Sequence, residues 1–202
     1  MNRNNAVETD AVSARFPKKY ADTVAKLRVP FGFLLVVAFG WLADPTILSI
    51  FGSLPLSIAG LLLRAWAAGH LAKNQELATG GPYGYLRNPL YLGTLMVAAG
   101  LVVAAQRWEL AILFAAVFGL VYLPVIELEE QHLRKLFPSY SEYAQSVPSL
   151  WPKLSRVITP ELPGGRFQIP LYMKNQEYQA LLGYIAGVVF LVWKSFSGIV
   201  WR

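Results

Sequence analysis

Five apolar blocks, separated by polar segments, dominate the chain. They run approximately over residues 29–42, 47–71, 89–105, 108–126 and 180–193. A bilayer crossing needs about 20 apolar residues, with a range near 17–25. The third and fourth blocks meet this requirement alone, whereas the first and fifth need their flanks to complete a crossing. The pattern therefore predicts an all-α integral-membrane helical bundle with about five transmembrane helices.

Turn signals mark the breaks between these blocks. Asp44-Pro45 follows the first block, and Gln106-Arg107 forms a tight break between the third and the fourth. A break this short makes the two helices antiparallel neighbours. The segments at their far ends, near residues 80–93 and 127–152, are then expected at the same face of the membrane.

The distribution of basic residues predicts the orientation of the bundle. Segments 1–28, 72–88 and 127–177 hold six, two and six Lys or Arg residues, whereas the opposite side holds Arg107, Lys194 and Arg202. Because loops rich in Lys and Arg stay in the cytoplasm, the amino terminus is expected there and the carboxyl terminus outside. The sequence thus predicts a multi-pass protein, most simply of a bacterial inner membrane, with the bilayer and no nucleic acid as partner.

Composition agrees with this interpretation. The 202 residues are 55% hydrophobic and 15% charged, with a mean hydropathy of +0.41 and a net charge of +6. Soluble domains carry about 25% charged residues, and disordered chains lack so many apolar side chains. Cysteine is absent and only His70 and His132 are present, which excludes disulfides and thiolate chemistry and argues against a metal centre.

The first segment that could carry chemistry spans residues 80–93. Its paired glycines and its prolines prevent a regular helix before Pro89, which suits the first turn of one. Arg87 and Asn88 then lie beside a helix amino terminus, where an anionic ligand group is favoured. On these residues alone, a membrane-interface turn with an aromatic belt is an equally good interpretation.

The second segment places Glu127, Glu129 and Glu130 directly after an apolar helix. Carboxylates are unusual there, because the carboxyl end of a helix favours cations. Either a bound cation or hydroxyl-rich ligand, or pairing with Arg134 or Lys135 at helical spacing, would resolve the conflict. Both alternatives stay open at this point.

Together the two segments resemble a known family. Gly81-Pro82-Tyr83-x-Tyr85-x-Arg87-Asn88-Pro89-x-Tyr91-x-Gly93, followed by Glu129-Glu130-x-x-Leu133-x-x-x-Phe137-x-x-Tyr140-x-x-Tyr143-x-x-x-Val147-Pro148, is similar to the isoprenylcysteine carboxyl methyltransferases. The wider group includes phospholipid methyltransferases. The resemblance covers about residues 54–152.

The resemblance implies a membrane enzyme that binds S-adenosylmethionine in a cytoplasm-facing pocket. It assigns cofactor binding to two sets of residues, Tyr83, Tyr85, Arg87, Asn88, Pro89, Tyr91 and Gly93 on one side and Glu129, Glu130, Tyr140, Tyr143 and Pro148 on the other. Arg87 and Glu129 are the candidate catalytic residues. The implied acceptor is lipophilic, either an isoprenylcysteine-like carboxylate of a prenylated protein or a lipid.

The sequence departs from the family pattern at several positions. Asn88 stands where many members have His, Ser149 where Arg is frequent, Gly84 where a basic residue is common and Pro138 where Gly is common. The acceptor could therefore differ from a prenylated carboxylate. Two alternatives stay open, an NADPH-dependent membrane reductase on the same scaffold and a non-catalytic membrane scaffold protein.

Two further residues are candidate substrate ligands. Arg64 lies within an apolar helix, where an ionisable residue is often functional, although its side chain could also snorkel to the headgroups. His70 could deprotonate an amine acceptor or serve as an interfacial hydrogen-bonding residue.

The remaining organisation is simple. Residues 1–28 form a polar amino-terminal segment without a cleavable signal pattern, and 29–202 form a single domain. Residues 153–177 are interpreted as either a lid or a linker before the last transmembrane helix at 178–196. Gly183 and Gly187 form a small-residue face that could serve helix packing or a homo-oligomer.

Overall fold

The computed structural model describes residues 16–152 and 166–197, and all the regular secondary structure in these ranges is helical, with no strand. The predicted all-α class is confirmed. Most of the predicted loop at 153–177, namely 153–165, lies outside the described residues, as do 1–15. The helices are α1 (Lys18–Leu42), α2 (Ile47–Ala68), α3 (Pro89–Ala105), α4 (Trp108–Leu136), α5 (Tyr140–Ser146), α6 (Ile169–Lys174) and α7 (Tyr178–Ser197).

Four of the described helices, namely α1, α2, α4 and α7, are long and apolar enough to cross a membrane. The sequence predicts about five crossings, and its third block, 89–105, coincides with α3. This helix has 17 residues, the lower end of the range for a crossing. It cannot be longer, because Pro89 occupies its first turn and Gln106 ends it in the left-handed conformation, with φ of 53°. The membrane helical bundle is confirmed, with α3 as its short member.

The closest helix packing joins α2 to α3. A Cβ built on Gly60 would lie 2.7 Å from the Gly93 carbonyl oxygen, and one on Gly93 would lie 2.8 Å from the Gly60 carbonyl oxygen. Glycine at both positions thus lets the two backbones touch.

Nothing described lies within 4 Å of a Cβ on Gly183 or Gly187, so the predicted small-residue face of α7 makes no packing contact within the described chain. A homo-oligomer through that face stays a prediction.

Helix α4 changes its winding in the middle. Residues Phe118–Tyr122 form a π-helical turn that ends two residues before Pro124. Proline has no N–H, so it cannot donate to the Leu120 carbonyl four residues earlier. The hydroxyl of Tyr20 in α1 donates to that oxygen at 2.6 Å, and Val24 of α1 packs with Val117 and Val121 nearby. These contacts hold α1 along α4.

The end of the bundle formed by residues 42–47 and 105–108, named the hairpin end, is closed. The backbone N–H of Asp44 donates to the Ala105 carbonyl at 2.9 Å, and Ser49 Oγ donates to the Ala104 carbonyl at 2.8 Å. Lys194 Nζ donates to the carbonyls of Gly40 and Trp41, the two residues before Leu42 at the end of α1. A small apolar cluster fills this end, made of Ala43, Ile50, Ala104, Ala105, Leu110 and Leu191.

The outer faces of the long helices are apolar. Exposed large side chains run along α1, α2 and α7, among them Phe33, Val36, Leu48, Phe51 and Val189. Continuous exposed apolar faces of this kind are the surface that a bundle presents to lipid.

Candidate functional site

A cavity of about 570 Å³ lies at the other end of the bundle, named the motif end because both motif segments reach it. Known ligand pockets span about 300–1,000 Å³. Seven of the predicted site residues line this cavity, and they come from α2, α3, α4, α5 and the turn before α3: Arg64, Tyr83, Arg87, Tyr91, Glu129, Tyr140 and Tyr143. Folding therefore brings the two distant segments to one site.

A 3₁₀ turn over Gly81–Gly84 positions the first segment. Gly81 has φ of 56°, and a Cβ there would meet the His70 ring at 2.6 Å, so only glycine suits both its conformation and its packing. This turn buries Tyr83 at the cavity wall. Tyr85 points elsewhere, and its ring lies 6.3 Å from that of Trp66; it does not line the cavity.

Arg87 makes a two-pronged ion pair with Glu130. Its Nη2 donates to Glu130 Oε2 at 2.9 Å and its Nε to Oε1 at 3.3 Å, while Nη1 donates to the Ala144 carbonyl at 2.7 Å. The Arg87 and Glu130 side chains are only 13% and 14% exposed. One arginine thus joins the turn before α3 to α4 and α5.

Asn88 completes this group, named the Glu130 cluster, which consists of Arg87, Asn88, Glu130 and Ser149. Asn88 Nδ2 donates to Glu130 Oε1 at 2.9 Å and to Ser149 Oγ at 3.0 Å, and Ser149 Oγ donates to the same carboxylate oxygen at 2.8 Å. Two departures from the family pattern, Asn88 and Ser149, therefore contact each other. The backbone N–H groups of Arg87 and Asn88 add bonds to the carbonyls of Pro148 and Ser149.

The anionic group beside the start of α3 is therefore the protein's own Glu130. The sequence left open whether this carboxylate binds a ligand or pairs with Arg134 or Lys135, and the structure pairs it with Arg87 instead. Arg134 lies over the Tyr140 ring, with its guanidinium carbon 5.6 Å from the ring centroid. Glu130 lines a second cavity of about 410 Å³ together with Pro148 and Ser149.

Glu129 is oriented differently from its neighbour. It lines the main cavity and forms no salt bridge within the described residues. Its carboxylate interacts with the hydroxyl of Tyr91, whose ring packs edge-on against Tyr122 at 6.2 Å. Successive carboxylates thus have separate surroundings, one inside the Glu130 cluster and one at the cavity wall.

Tyr140 and Tyr143 close the cavity from α5. The Tyr143 hydroxyl donates to the Tyr83 carbonyl at 2.8 Å, whereas the hydroxyl of the fully buried Tyr140 has no hydrogen-bond partner within the described chain. Burial raises the pKa of Tyr83, Tyr140 and Tyr143 above the ordinary value. The Glu177 carboxylate raises the pKa of Tyr83 further, and the Glu130 carboxylate raises that of Tyr140 further. All three hydroxyls stay protonated and able to donate.

Three other predicted residues contribute backbone or packing and do not line the main cavity. Pro89 is buried as the first residue of α3, and Gly93 lies against Gly60 of α2. Pro148 supplies a carbonyl that accepts from the Arg87 N–H at 2.8 Å. Their proposed contact with a cofactor stays a prediction.

Arg64 lines the main cavity and is fixed by four hydrogen bonds. Its Nε and Nη2 each donate to Glu177 at 2.9 Å, and its Nη1 donates to Thr94 Oγ1 and to the Leu90 carbonyl. The sequence analysis did not assign Glu177 to the site. An arginine in an apolar helix needs a partner, and that requirement was the available signal. Asn175, two residues before Glu177, donates to the carbonyls of Ala68 and Leu71 at the end of α2.

His70 lies outside the main cavity. Its Nδ1–H donates to the Trp66 carbonyl at 2.9 Å, and its ring lies 6.1 Å from that of Phe167. It lines a third cavity of about 350 Å³ with Gly80 and Phe137. Its role toward a substrate stays a prediction.

Within the described ranges, no group of three or more His, Asp or Glu side chains could hold a metal ion.

Comparison with known families gives a match to phospholipid methyltransferases over residues 56–140. This confirms the resemblance stated from the motifs, for the segment that runs from α2 into α5. The match supports a methyltransferase in general, within a chain whose long apolar helices suit a membrane.

Two curated relatives carry names that refer to metal resistance. The cobalt-zinc-cadmium resistance protein CzcN of Cupriavidus metallidurans is 35% identical over 118 residues, covering 57% of this chain and 54% of the relative. The nickel-cobalt-cadmium resistance protein NccN of Alcaligenes xylosoxydans xylosoxydans is 36% identical over 94 residues, covering 46% and 44%. The matches thus span about half the length of each relative. No solved structure matches this chain significantly.

Proposed function

We propose that this chain is an integral-membrane methyltransferase that uses S-adenosylmethionine and methylates a lipophilic acceptor at the cytoplasmic interface. One observation carries the proposal. The two motif segments, about 40 residues apart in a chain matched to a methyltransferase family, line a single cavity large enough for a small-molecule ligand.

The residues around the cavity fit this cofactor. The Glu129 carboxylate can accept from ribose hydroxyls or from the methionyl ammonium group. Arg87 uses three of its five N–H groups in the bonds described, which leaves two for a methionyl carboxylate. The hydroxyl of Tyr140 is buried without a partner among the described residues and can donate to a bound ligand. Tyrosine rings can also face a cationic sulfonium.

When bound, S-adenosylmethionine supplies an electrophilic methyl group on a sulfonium sulfur. The chain has to hold an acceptor atom in line with that methyl and to exclude competing water. Arg87 and Glu129 fix the two ends of the polar part, while apolar walls from Leu71, Leu90 and Leu133 keep the site dry. Held by Arg87 and Glu129, the cofactor would supply the methyl group and would leave as the neutral thioether.

The wall formed by α1 supports a lipophilic acceptor. Val29 and Gly32 line the cavity, and Val29 is also 58% exposed on the apolar outer face of α1. The cavity wall is therefore continuous with a lipid-facing surface. An acceptor such as a lipid or a prenylated carboxylate could keep its apolar chain in the bilayer while its reactive group reaches the site.

Calorimetric titration of S-adenosylmethionine into the detergent-solubilised protein tests the proposal. We expect saturable binding that Glu129→Gln weakens about 10- to 100-fold, since a hydrogen bond to a charged group contributes about 1.5–3 kcal/mol. The matched control is Asp44→Asn at the hairpin end, which should leave the affinity unchanged. Absence of binding by the wild type at millimolar cofactor would contradict the proposal, and an unchanged affinity of E129Q would contradict the site.

The two alternative activities are separated by further measurements. Thermal stabilisation by S-adenosylmethionine and not by NADPH is expected, and the reverse would favour a reductase. Transfer of labelled methyl from S-adenosylmethionine into a total membrane extract, with lipid and protein fractions counted separately, would identify the acceptor class. Cofactor binding with no label in either fraction would favour a non-catalytic scaffold.

The names of the two relatives suggest a second level of function, which is a contribution to tolerance of divalent metals. Growth of a deletion strain in cobalt, zinc, cadmium and nickel would test it. If methyl transfer carries the tolerance, the wild-type chain should restore growth and E129Q should not. Equal rescue by both would contradict that link.

A further inference from the structure

We propose that Arg64 is a binding residue for the negatively charged group of the acceptor, a phosphate or a carboxylate held within the membrane. The identification of the bound molecule as an acceptor rests on the proposed function. The binding site itself does not, because it follows from the placement of Arg64 in the cavity wall.

The guanidinium of Arg64 is held rigidly but is not enclosed. Glu177 accepts from Nε and Nη2, and Thr94 and the Leu90 carbonyl accept from Nη1. Nη2 also lies 2.8 Å from the second Glu177 oxygen, Oε2. Even so, 22% of the side chain stays exposed where it lines the cavity, so a ligand in the cavity can reach it.

The depth of Arg64 suits an amphiphile with an anionic headgroup. Helix α2 ends at Ala68, four residues after Arg64, which is about 6 Å along the helix axis. This level is close to the membrane interface, where the phosphates and carboxylates of amphiphiles reside. The planar fork of an arginine matches either group with two parallel hydrogen bonds.

The rest of the cavity wall reinforces this preference. Arg28 of α1 and Lys73 also line the cavity, and neither forms a salt bridge in the ranges that the structure describes. Glu129, the candidate cofactor ligand, reaches the cavity from α4, whereas Arg64 reaches it from α2. The acceptor anion and the cofactor thus have separate protein partners within one cavity.

A purely structural ion pair explains the arrangement less well. Replacing a buried ion pair by apolar residues is often neutral or stabilising, and an apolar pair would suit a membrane helix better than a guanidinium. Glu177 and Thr94 are then positioning residues, which fix the orientation of Arg64 toward the cavity. Their contacts explain why the charge can be kept at this depth.

Three dodecyl amphiphiles in a neutral detergent test the proposal: dodecyl phosphate, laurate and neutral dodecanol. We expect that one or both anions, at low mole fraction, raise the melting temperature of the wild type by several degrees, and that dodecanol does not. Stabilisation by dodecyl phosphate alone would indicate a phosphate group, and stabilisation by laurate alone a carboxylate.

Arg64→Gln should abolish the response to the anions while the stabilisation by S-adenosylmethionine persists. Since R64Q leaves Glu177 without its partner and could fail to fold, the double variant R64Q/E177Q removes both charges together. It should fold and also lack the response, whereas Arg64→Lys should recover part of it. Arg107→Gln at the hairpin end is the matched control and should respond like the wild type.

Equal stabilisation by dodecanol and the anions, or a full response of R64Q/E177Q to the anions, would overturn the proposal. Methyl transfer gives an independent readout, in which R64K should raise KM for the labelled acceptor severalfold with a smaller change in kcat. An anion response that depends on Arg64 in a protein that does not bind S-adenosylmethionine would support this site and contradict the proposed function alone.

Discussion

The two ends of the bundle use polar groups in opposite ways. At the hairpin end, Lys194 and the backbone N–H of Asp44 bond to carbonyls at the ends of α1 and α3, and small apolar residues fill the space between. At the motif end, the Glu130 cluster and the Arg64–Glu177 pair surround a cavity of about 570 Å³.

The difference shows that the few charged side chains of this chain serve packing at the hairpin end, whereas at the motif end they also surround a cavity. Helix ends in a membrane need partners for their free carbonyls, and the hairpin end supplies little beyond that. The motif end also joins its helices by ion pairs, yet keeps Glu129 and the Tyr140 hydroxyl at the cavity wall. Hydrogen bonds and ion pairs of polar side chains thus close one end of the bundle and border a cavity at the other.

Glu130→Gln should have the largest effect and should damage the motif end selectively. It leaves the buried Arg87 without a countercharge and weakens the bonds of Asn88 and Ser149, so we expect a loss of about 3–5 kcal/mol in unfolding free energy. Denaturant titration in detergent measures it. Asp44→Asn removes the half-exposed pair with Arg107 and should change stability by about 0–1 kcal/mol; similar losses at both ends would contradict the comparison.

Lys194→Met should weaken the hairpin end by about 1–3 kcal/mol, because the carbonyls of Gly40 and Trp41 lose their donor. The same variant should leave the affinity for S-adenosylmethionine unchanged, since the cavity is at the other end. Thermal unfolding and calorimetry on one preparation check both statements. A weakened cofactor affinity would show that the two ends are coupled.

Tyr143→Phe should have a smaller effect than Glu130→Gln or Lys194→Met, about 1 kcal/mol, through loss of the bond to the Tyr83 carbonyl. Burial raises the pKa of Tyr143 in the folded chain above the ordinary value near 10, so its contribution to stability is present below pH 10 and is lost as the pH rises. Melting temperatures between pH 8 and 11 should fall less steeply for Y143F than for the wild type. An identical slope would exclude Tyr143 as a contributor.

Much of the fold was predictable from the pattern of apolar residues. Four of the five apolar blocks correspond to helices of crossing length, and the breaks at Asp44-Pro45 and Gln106-Arg107 are observed as the connections at the hairpin end. The third block, 89–105, coincides with α3, because Pro89 and the left-handed Gln106 limit this helix to the same 17 residues. That length is the lower end of the range for a crossing.

The candidate site was predictable in its location and less so in its contacts. The motifs assigned twelve residues to one site, and six of them line the cavity: Tyr83, Arg87, Tyr91, Glu129, Tyr140 and Tyr143. The pairing of Glu130 with Arg87 was not foreseen, because helical spacing favoured Arg134 and the competing partner is 43 residues away. Glu177 was missed for the same reason, since it lies 113 residues from Arg64.

The sequence by itself determined the helices, their breaks and the two segments that carry the chemistry, because periodicity, proline and apolar length act locally along the chain. Only the tertiary structure decided which charges pair. Ion pairs depend on distances of about 3 Å between side chains that are far apart in the chain. Those distances follow from the course of α4 past the start of α3 and from the packing of the segment before α7 against α2. The structure thereby leaves Glu129 and Arg64 facing one cavity, and it encloses Glu130 within a cluster of its own.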